Sequence, residues 1–196
     1  MRCNLVCLLT VIALTASRPA AALPAGWESE VQSGDIIFIG GTDIWTQMAA
    51  AFSERDDRFG HTGILLREGS TLSVIEAGGF ILGAEAGVAA TPSEDFIRGA
   101  AEVAIFRPAL SPDAREAMLD YARAASEAAL PFDRDWRLDT ANEVYCTEFV
   151  WRALSAGTER DPVPARTMAG SLEIIALDDL LASPLLEEVH FTAAPR

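Results

Sequence analysis

The sequence contains no lysine, so all 15 of its basic residues are arginines. Set against 29 acidic residues, they leave a net charge of −14. If residues 1–22 are removed, Arg2 and Arg18 are lost and 13 arginines remain. A surface with this charge repels nucleic acid and anionic lipid headgroups. We therefore expect no nucleic-acid partner.

Metal-binding and nucleotide-binding motifs are also absent from the sequence. The two histidines, His61 and His190, lie far from each other and from Cys146, a spacing that matches no zinc site. The Gly40-Gly41 pair is not followed by the lysine of a phosphate-binding loop. We therefore expect neither a metal nor a cofactor.

Long apolar runs are lacking except near the N-terminus. Arg2, the apolar run at 5–16 and the small residues at 20–22 together form the pattern of a cleaved secretory signal peptide. The sequence thus predicts a signal peptide at 1–22 and a single domain at 23–196. The mature chain would carry no integral membrane segment and would be periplasmic or secreted.

Cleavage would also remove Cys3 and Cys7 and leave Cys146 as the only thiol. A secreted chain with one cysteine cannot form an internal disulfide. That thiol is therefore buried and inert, paired with another molecule, or reactive. Composition does not choose among these alternatives.

The hydrophobic pattern predicts an α+β fold, in which a small, mostly antiparallel sheet has helices on one side. A β-hairpin with its turn at Glu68-Gly69 is its clearest element. The predicted strands cover 36–39, 61–66, 71–77, 88–90, 102–107 and 186–191, and the predicted helices cover 42–53, 91–99, 111–130, 145–157 and 177–181.

Three residues on separate predicted elements could form a nucleophilic site. Cys146 begins a helix, where backbone N–H groups and the helix dipole favour a thiolate. His61 opens an apolar strand, and Glu76 lies within the next one. In the predicted hairpin His61 and Glu76 fall opposite each other or nearly so, and the carboxylate could then orient the imidazole.

Two other ionisable residues are interpreted as structural. His190 alternates with apolar residues near the end of the chain, which is typical of an exposed strand position. Glu148 lies two positions after Cys146, and residues with that spacing do not share a helix face.

Five motifs, taken in order, resemble the circularly permuted papain-fold amidohydrolases of the NlpC superfamily, in particular the YiiX-like branch. In unpermuted relatives the cysteine helix precedes the Gly-Asp strand, whereas here it follows both the Gly-Asp and the histidine strands. The motifs are GDIIF at 34–38, GHTGI at 60–64, VIEA at 74–77, PFD at 131–133 and YCTEFVW at 145–151.

The resemblance implies a triad of Cys146 as nucleophile, His61 as base and Glu76 as orienting acid. Tyr145 and the backbone of Cys146 are candidates for the oxyanion site or the substrate pocket. The sequence departs from the family pattern at three positions: Thr147 replaces a usual serine, Thr62 replaces a common apolar residue, and Phe132 replaces a tyrosine. None of these changes removes a triad group.

The family implies a hydrolase that cleaves amide bonds, with cell-wall peptide as the expected substrate. A related permuted branch resembles lecithin retinol acyltransferase, so lipid ester hydrolysis or acyl transfer is a second candidate. A non-catalytic binding module on the same fold is the third.

Overall fold

The computed structural model describes residues 23–41, 47, 49–78 and 86–193. The predicted signal peptide lies outside these residues. So do residues 42–46 and 48 of the helix predicted at 42–53; Gln47, Ala49 and Ala50 are helical, whereas 51–53 are not, so the predicted end of this helix was too late. Within the described residues, no helix is long and apolar enough to cross a membrane.

The architecture is α+β, as predicted, and is built on a six-stranded antiparallel sheet in the order β4-β3-β2-β1-β5-β8. A short hairpin, β6-β7, forms a separate two-stranded sheet that the sequence did not predict. The strands are β1 (Ile36–Gly40), β2 (His61–Glu68), β3 (Thr71–Gly78), β4 (Gly87–Pro92), β5 (Glu102–Pro108), β6 (Thr167–Ala169), β7 (Leu172–Ile174) and β8 (Leu186–Ala193).

Besides the helical residues near Ala49, four α-helices have both ends within the described residues. Ser111 caps the second of them, since Ser111 Oγ accepts a hydrogen bond of 3.2 Å from the amide of Ala114. The helices are α1 (Ser93–Phe96), α2 (Pro112–Glu127), α3 (Cys146–Ala156) and α4 (Leu177–Leu181).

Each face of the sheet carries its own apolar core, because side chains alternate along the strands. One cluster joins strand residues such as Ile64 to buried residues of α2, α3 and α4. The other joins Leu65 and Val74 to Trp27 and to Phe96 of α1. The longer helices thus lie on one face, and the N-terminal segment and α1 cover the other.

Two predicted boundaries near β3 and β4 were wrong. The hairpin turn is formed by Gly69-Ser70 instead of Glu68-Gly69, with Gly69 at a φ of +60°, as primed hairpin turns require at their first central position. Thr91, predicted to be helical, pairs with Val74 as part of β4. The helix that follows is only four residues long because the sheet ladder continues through Pro92.

Candidate active site

Cys146 is the first residue of α3 and is 5% exposed. At this position its backbone N–H has no acceptor within the helix. The positive end of the helix dipole also lies at the sulfur, where it favours negative charge. The helix end therefore offers both thiolate stabilisation and a donor for a developing oxyanion.

The residues on both sides of Cys146 are tethered to the backbone of one residue, Ile175. The hydroxyl of Tyr145 accepts a hydrogen bond of 2.9 Å from the N–H of Ile175. Thr147 Oγ1 donates a bond of 2.5 Å to the carbonyl oxygen of Ile175. All three residues are buried. This double tether fixes the start of α3 against the segment that leads into α4.

His61 and Glu76 are brought together, with the Nε2 and Oε2 atoms 2.5 Å apart. The register places them diagonally, because Glu76 falls opposite Gly63 and is offset by two residues from His61. The thiol of Cys146 also acts on the imidazole, whose pKa it helps to raise. Since Glu76 occupies Nε2, the remaining ring nitrogen, Nδ1, is the one available to the thiol.

The charges around His61 favour its protonated form. Burial alone would lower the pKa of His61, but the hydrogen bonds and charges of Cys146 and Glu76 outweigh it and raise the pKa from 6.5 to about 10. For Glu76, burial would raise the pKa, yet His61 and Thr91 hold it below its usual value of 4.5. The pair is therefore an imidazolium beside a carboxylate at neutral pH.

Two further residues, neither of them predicted from the sequence, contact His61 and Glu76. The ring of Phe96 lies 5.4 Å from the His61 ring, centroid to centroid. Thr91 Oγ1 donates a hydrogen bond of 2.6 Å to Glu76 Oε1. An Ala-Thr-Pro-Ser stretch carries no catalytic signature, so only the register of β4 reveals the position of Thr91.

Glu148 has a different role from Glu76. Its carboxylate accepts bonds of 2.6 Å from Arg152 and 3.3 Å from the amide of Tyr145. Burial raises the pKa of Glu148 to about 7, although Arg152 lowers it. Glu148 was predicted only to be structural. Its contacts fit that prediction, and they show that it caps α3 and binds Arg152.

An apolar recess lies beside the sulfur of Cys146. Its walls include Phe52, Trp136, Ile174 and Leu177. Trp136 packs 5.0 Å from Tyr145, centroid to centroid, and its backbone has a φ of +57°. A non-glycine residue in this region needs support from its surroundings.

That support comes from Asp133, which is fully buried. Its carboxylate accepts backbone N–H bonds of 2.8, 3.1 and 2.7 Å from Asp135, Trp136 and Arg137. The motif residue Asp133 therefore shapes the loop that presents Trp136 to the recess.

Residues 30–169 match the model of a family described as permuted papain-like amidases, the YaeF/YiiX or C92 family. The chain belongs to this family. Among solved structures it is similar to the metalloprotein yiiX from Escherichia coli O157:H7, with a TM-score of 0.68 and 19% identity over 85% of this chain and 99% of that one. No curated protein matches.

In this member of the family, the three departures from the family pattern are accommodated locally. Thr62 is buried, and its hydroxyl donates a bond of 2.9 Å to the carbonyl oxygen of Ile37. Thr147 makes the tether to Ile175. Phe132 packs edge-on against Trp136, with ring centroids 6.1 Å apart. Each substituted side chain thus has a defined packing or hydrogen-bonding partner.

The second histidine of the chain does not take part in the site. His190 lies on β8, an edge strand, where its Nε2 is 3.3 Å from a carboxylate oxygen of Glu30. Its side chain is 13% exposed, so the prediction of an exposed strand position was wrong. Packing of the N-terminal segment against this face buries it. The described residues contain no group of three or more His, Cys, Asp or Glu side chains arranged to hold a metal ion.

Proposed function

We propose that this protein is a periplasmic or secreted thiol hydrolase in which Cys146, His61 and Glu76 cleave an amide bond through an acyl-enzyme. The observation that carries the proposal is the close pair of His61 and Glu76, with Nε2 and Oε2 2.5 Å apart, next to a thiol that raises the pKa of the imidazole. Membership of an amidase family supports the same reaction class. The predicted signal peptide at 1–22 supports export.

In the acylation step, the thiolate of Cys146 attacks the carbonyl carbon and a sulfur–carbon bond forms. The backbone N–H of Cys146 stabilises the oxyanion of the tetrahedral intermediate. The His61 imidazolium gives its proton to the leaving nitrogen as the carbon–nitrogen bond breaks. An amine leaves and the acyl group stays on the sulfur.

Deacylation reverses these roles. Neutral His61 takes a proton from water, the resulting hydroxide attacks the thioester, and the carbon–sulfur bond breaks. The products are a carboxylic acid, the thiolate and the imidazolium. Throughout, Glu76 holds the ring through Nε2 and stabilises its charged form.

The expected substrate is a peptide amide of the cell wall. The recess favours a second candidate, lipid ester hydrolysis or acyl transfer, because its walls next to the sulfur are apolar. A charged peptide group would find no matching charge among the recess residues named above.

The deciding experiment incubates cell-wall sacculi and a panel of neutral phospholipids with wild type and with Cys146→Ser. Mass spectrometry of the products identifies the bond cleaved, and mass analysis of the protein detects an acyl adduct on the peptide that contains Cys146. Peptide fragments formed only by wild type support the amidase, whereas lysolipid or transferred acyl chains support the second candidate.

A binding module on the same fold would give neither product. It would also leave Cys146 with ordinary thiol reactivity. Alkylation by iodoacetamide at graded pH tests this directly: a hydrolase should be labelled quickly near neutral pH, and His61→Ala should slow the labelling. Labelling at the same slow rate in both proteins would overturn the proposed mechanism.

A further inference from the structure

Each carboxylate oxygen of Glu76 has its own partner. Oε2 lies 2.5 Å from His61 Nε2, and Oε1 accepts a 2.6 Å bond from Thr91 Oγ1. The three residues come from β2, β3 and β4 and share one face of the sheet. They form a diagonal series across three neighbouring strands, and Thr91 is its outermost member.

The diagonal contact between Glu76 and His61 requires glycine at two neighbouring positions, Gly63 and Gly78. Gly63 lies opposite Glu76 on β2, and a Cβ atom there would come within 3.3 Å of Glu76 Cβ and 2.4 Å of Val74 Cγ1. A Cβ atom on Gly78 would lie 2.7 Å from Glu76 Oε2. The two glycines therefore leave the space through which the carboxylate leans toward the imidazole.

The donor at the other end is well fixed. Thr91 is β-branched, which restricts its χ1 angle, and its backbone pairs with Val74 in the β3-β4 ladder. A hydroxyl in this position holds Oε1 and so prevents the carboxyl group from turning Oε2 away from His61. It also stabilises the charged form of Glu76, because hydrogen bonds to ionised groups are the stronger class.

The geometry points to Thr91 as a positioning residue of the hydrolase, one that acts on His61 through Glu76. This inference rests on the proposed function and extends the three-residue series to four. The ionisable groups that act on His61 among the described residues are Cys146 and Glu76. A change at Thr91 should therefore be detected at the His61 ring and not only in overall stability.

The test is an NMR titration of the His61 ring in a Cys146→Ser background, which removes the thiol from the coupling. His61 and His190 are the only histidines, and His190→Gln assigns the signals. Thr91→Val removes the hydroxyl at nearly constant shape and should lower the His61 midpoint by about 0.5 to 1 pH unit. Thr91→Ser should restore it. Thr71→Val, an exposed position on β3, is the matched control and should leave it unchanged.

An unchanged midpoint in Thr91→Val, with a folded-protein spectrum, would overturn this inference. So would a lowered midpoint in Thr91→Val that Thr91→Ser does not restore. Both results leave the proposed function standing, since that depends on Cys146-dependent products. If Glu76→Gln also fails to lower the midpoint, the link between His61 and Glu76 is refuted, and with it the proposed mechanism.

Discussion

Glu76 and Glu148 both connect to Cys146, one through the imidazole of His61 and the other through the helix that carries the sulfur. Glu76 lies among donors on a sheet, and its pKa is lowered by His61 and Thr91 despite burial. Glu148 is fully buried at a helix start, and its pKa is raised to about 7 despite Arg152. The two glutamates differ in the groups that their carboxylates contact. These contacts, and not the distance along the chain from Cys146, distinguish the site residue from the structural one.

The largest expected difference between the two glutamates is in turnover. Glu76→Gln should reduce product formation by about 10²–10⁴-fold, because an amide cannot stabilise the imidazolium as a carboxylate does. Glu148→Gln should leave the rate close to that of wild type. The measurement is the initial rate on the substrate identified by mass spectrometry, with circular dichroism to confirm folding. Equal losses in the two variants would contradict the distinction.

A smaller difference is expected in the pH dependence of stability. Because the pKa of Glu148 is raised from 4.5 to about 7, the folded protein holds this proton more tightly than the unfolded chain does. The contribution of Glu148 is therefore greatest below pH 4.5 and falls as the pH rises through 7. Relative to Glu148→Gln, wild type should lose about 3 kcal/mol of unfolding free energy between pH 4 and pH 8.

Glu76 should show the opposite sign. Its pKa is lowered in the folded protein, so its contribution is present above pH 4.5 and is lost as the pH falls further. Urea unfolding of wild type, Glu148→Gln and Glu76→Gln at several pH values measures both slopes. Parallel stability curves for wild type and Glu148→Gln would show that the environment of Glu148 does not shift its titration.

The smallest expected effect concerns the tether beside Glu148. Tyr145→Phe removes the acceptor for the N–H of Ile175 and should cost about 1 kcal/mol of unfolding free energy. If the hydroxyl serves only as a tether, turnover should be retained. Tyr145 as a neighbour of the oxyanion site is still a prediction. A loss of turnover far beyond the change in stability would support it.

The sequence was sufficient for the order of the main elements and for the proximity of His61 and Glu76. His61 and Glu76 could be placed because a two-residue turn and period-2 alternation restrict the register of a hairpin. Their diagonal offset could not be predicted, since moving the turn by one residue changes which positions face each other. Glu148 could be set aside because helical geometry fixes which neighbours share a face.

Thr91 and Ile175 were missed for different physical reasons. Pro92-Ser93 is typical of a helix start, so Thr91 was included in a helix, while in the structure the ladder with β3 determines its conformation. Ile175 binds Tyr145 and Thr147 through its backbone N–H and C=O groups. A pattern of side chains does not predict hydrogen bonds made by the backbone. Ile175 also comes directly after β6 and β7, two strands of three residues each. Strands this short show no recognisable alternation of apolar and polar residues.

Because α3 follows five strands of the main sheet, the residues of the site are synthesised in a fixed order. The base and its orienting acid emerge early, whereas the nucleophile emerges much later, and the Ile175 peptide that secures it later still. A nascent chain can therefore pair β2 with β3 long before a reactive sulfur exists. His61, Glu76 and Cys146 can therefore meet only after α3 has been made and has packed against the sheet.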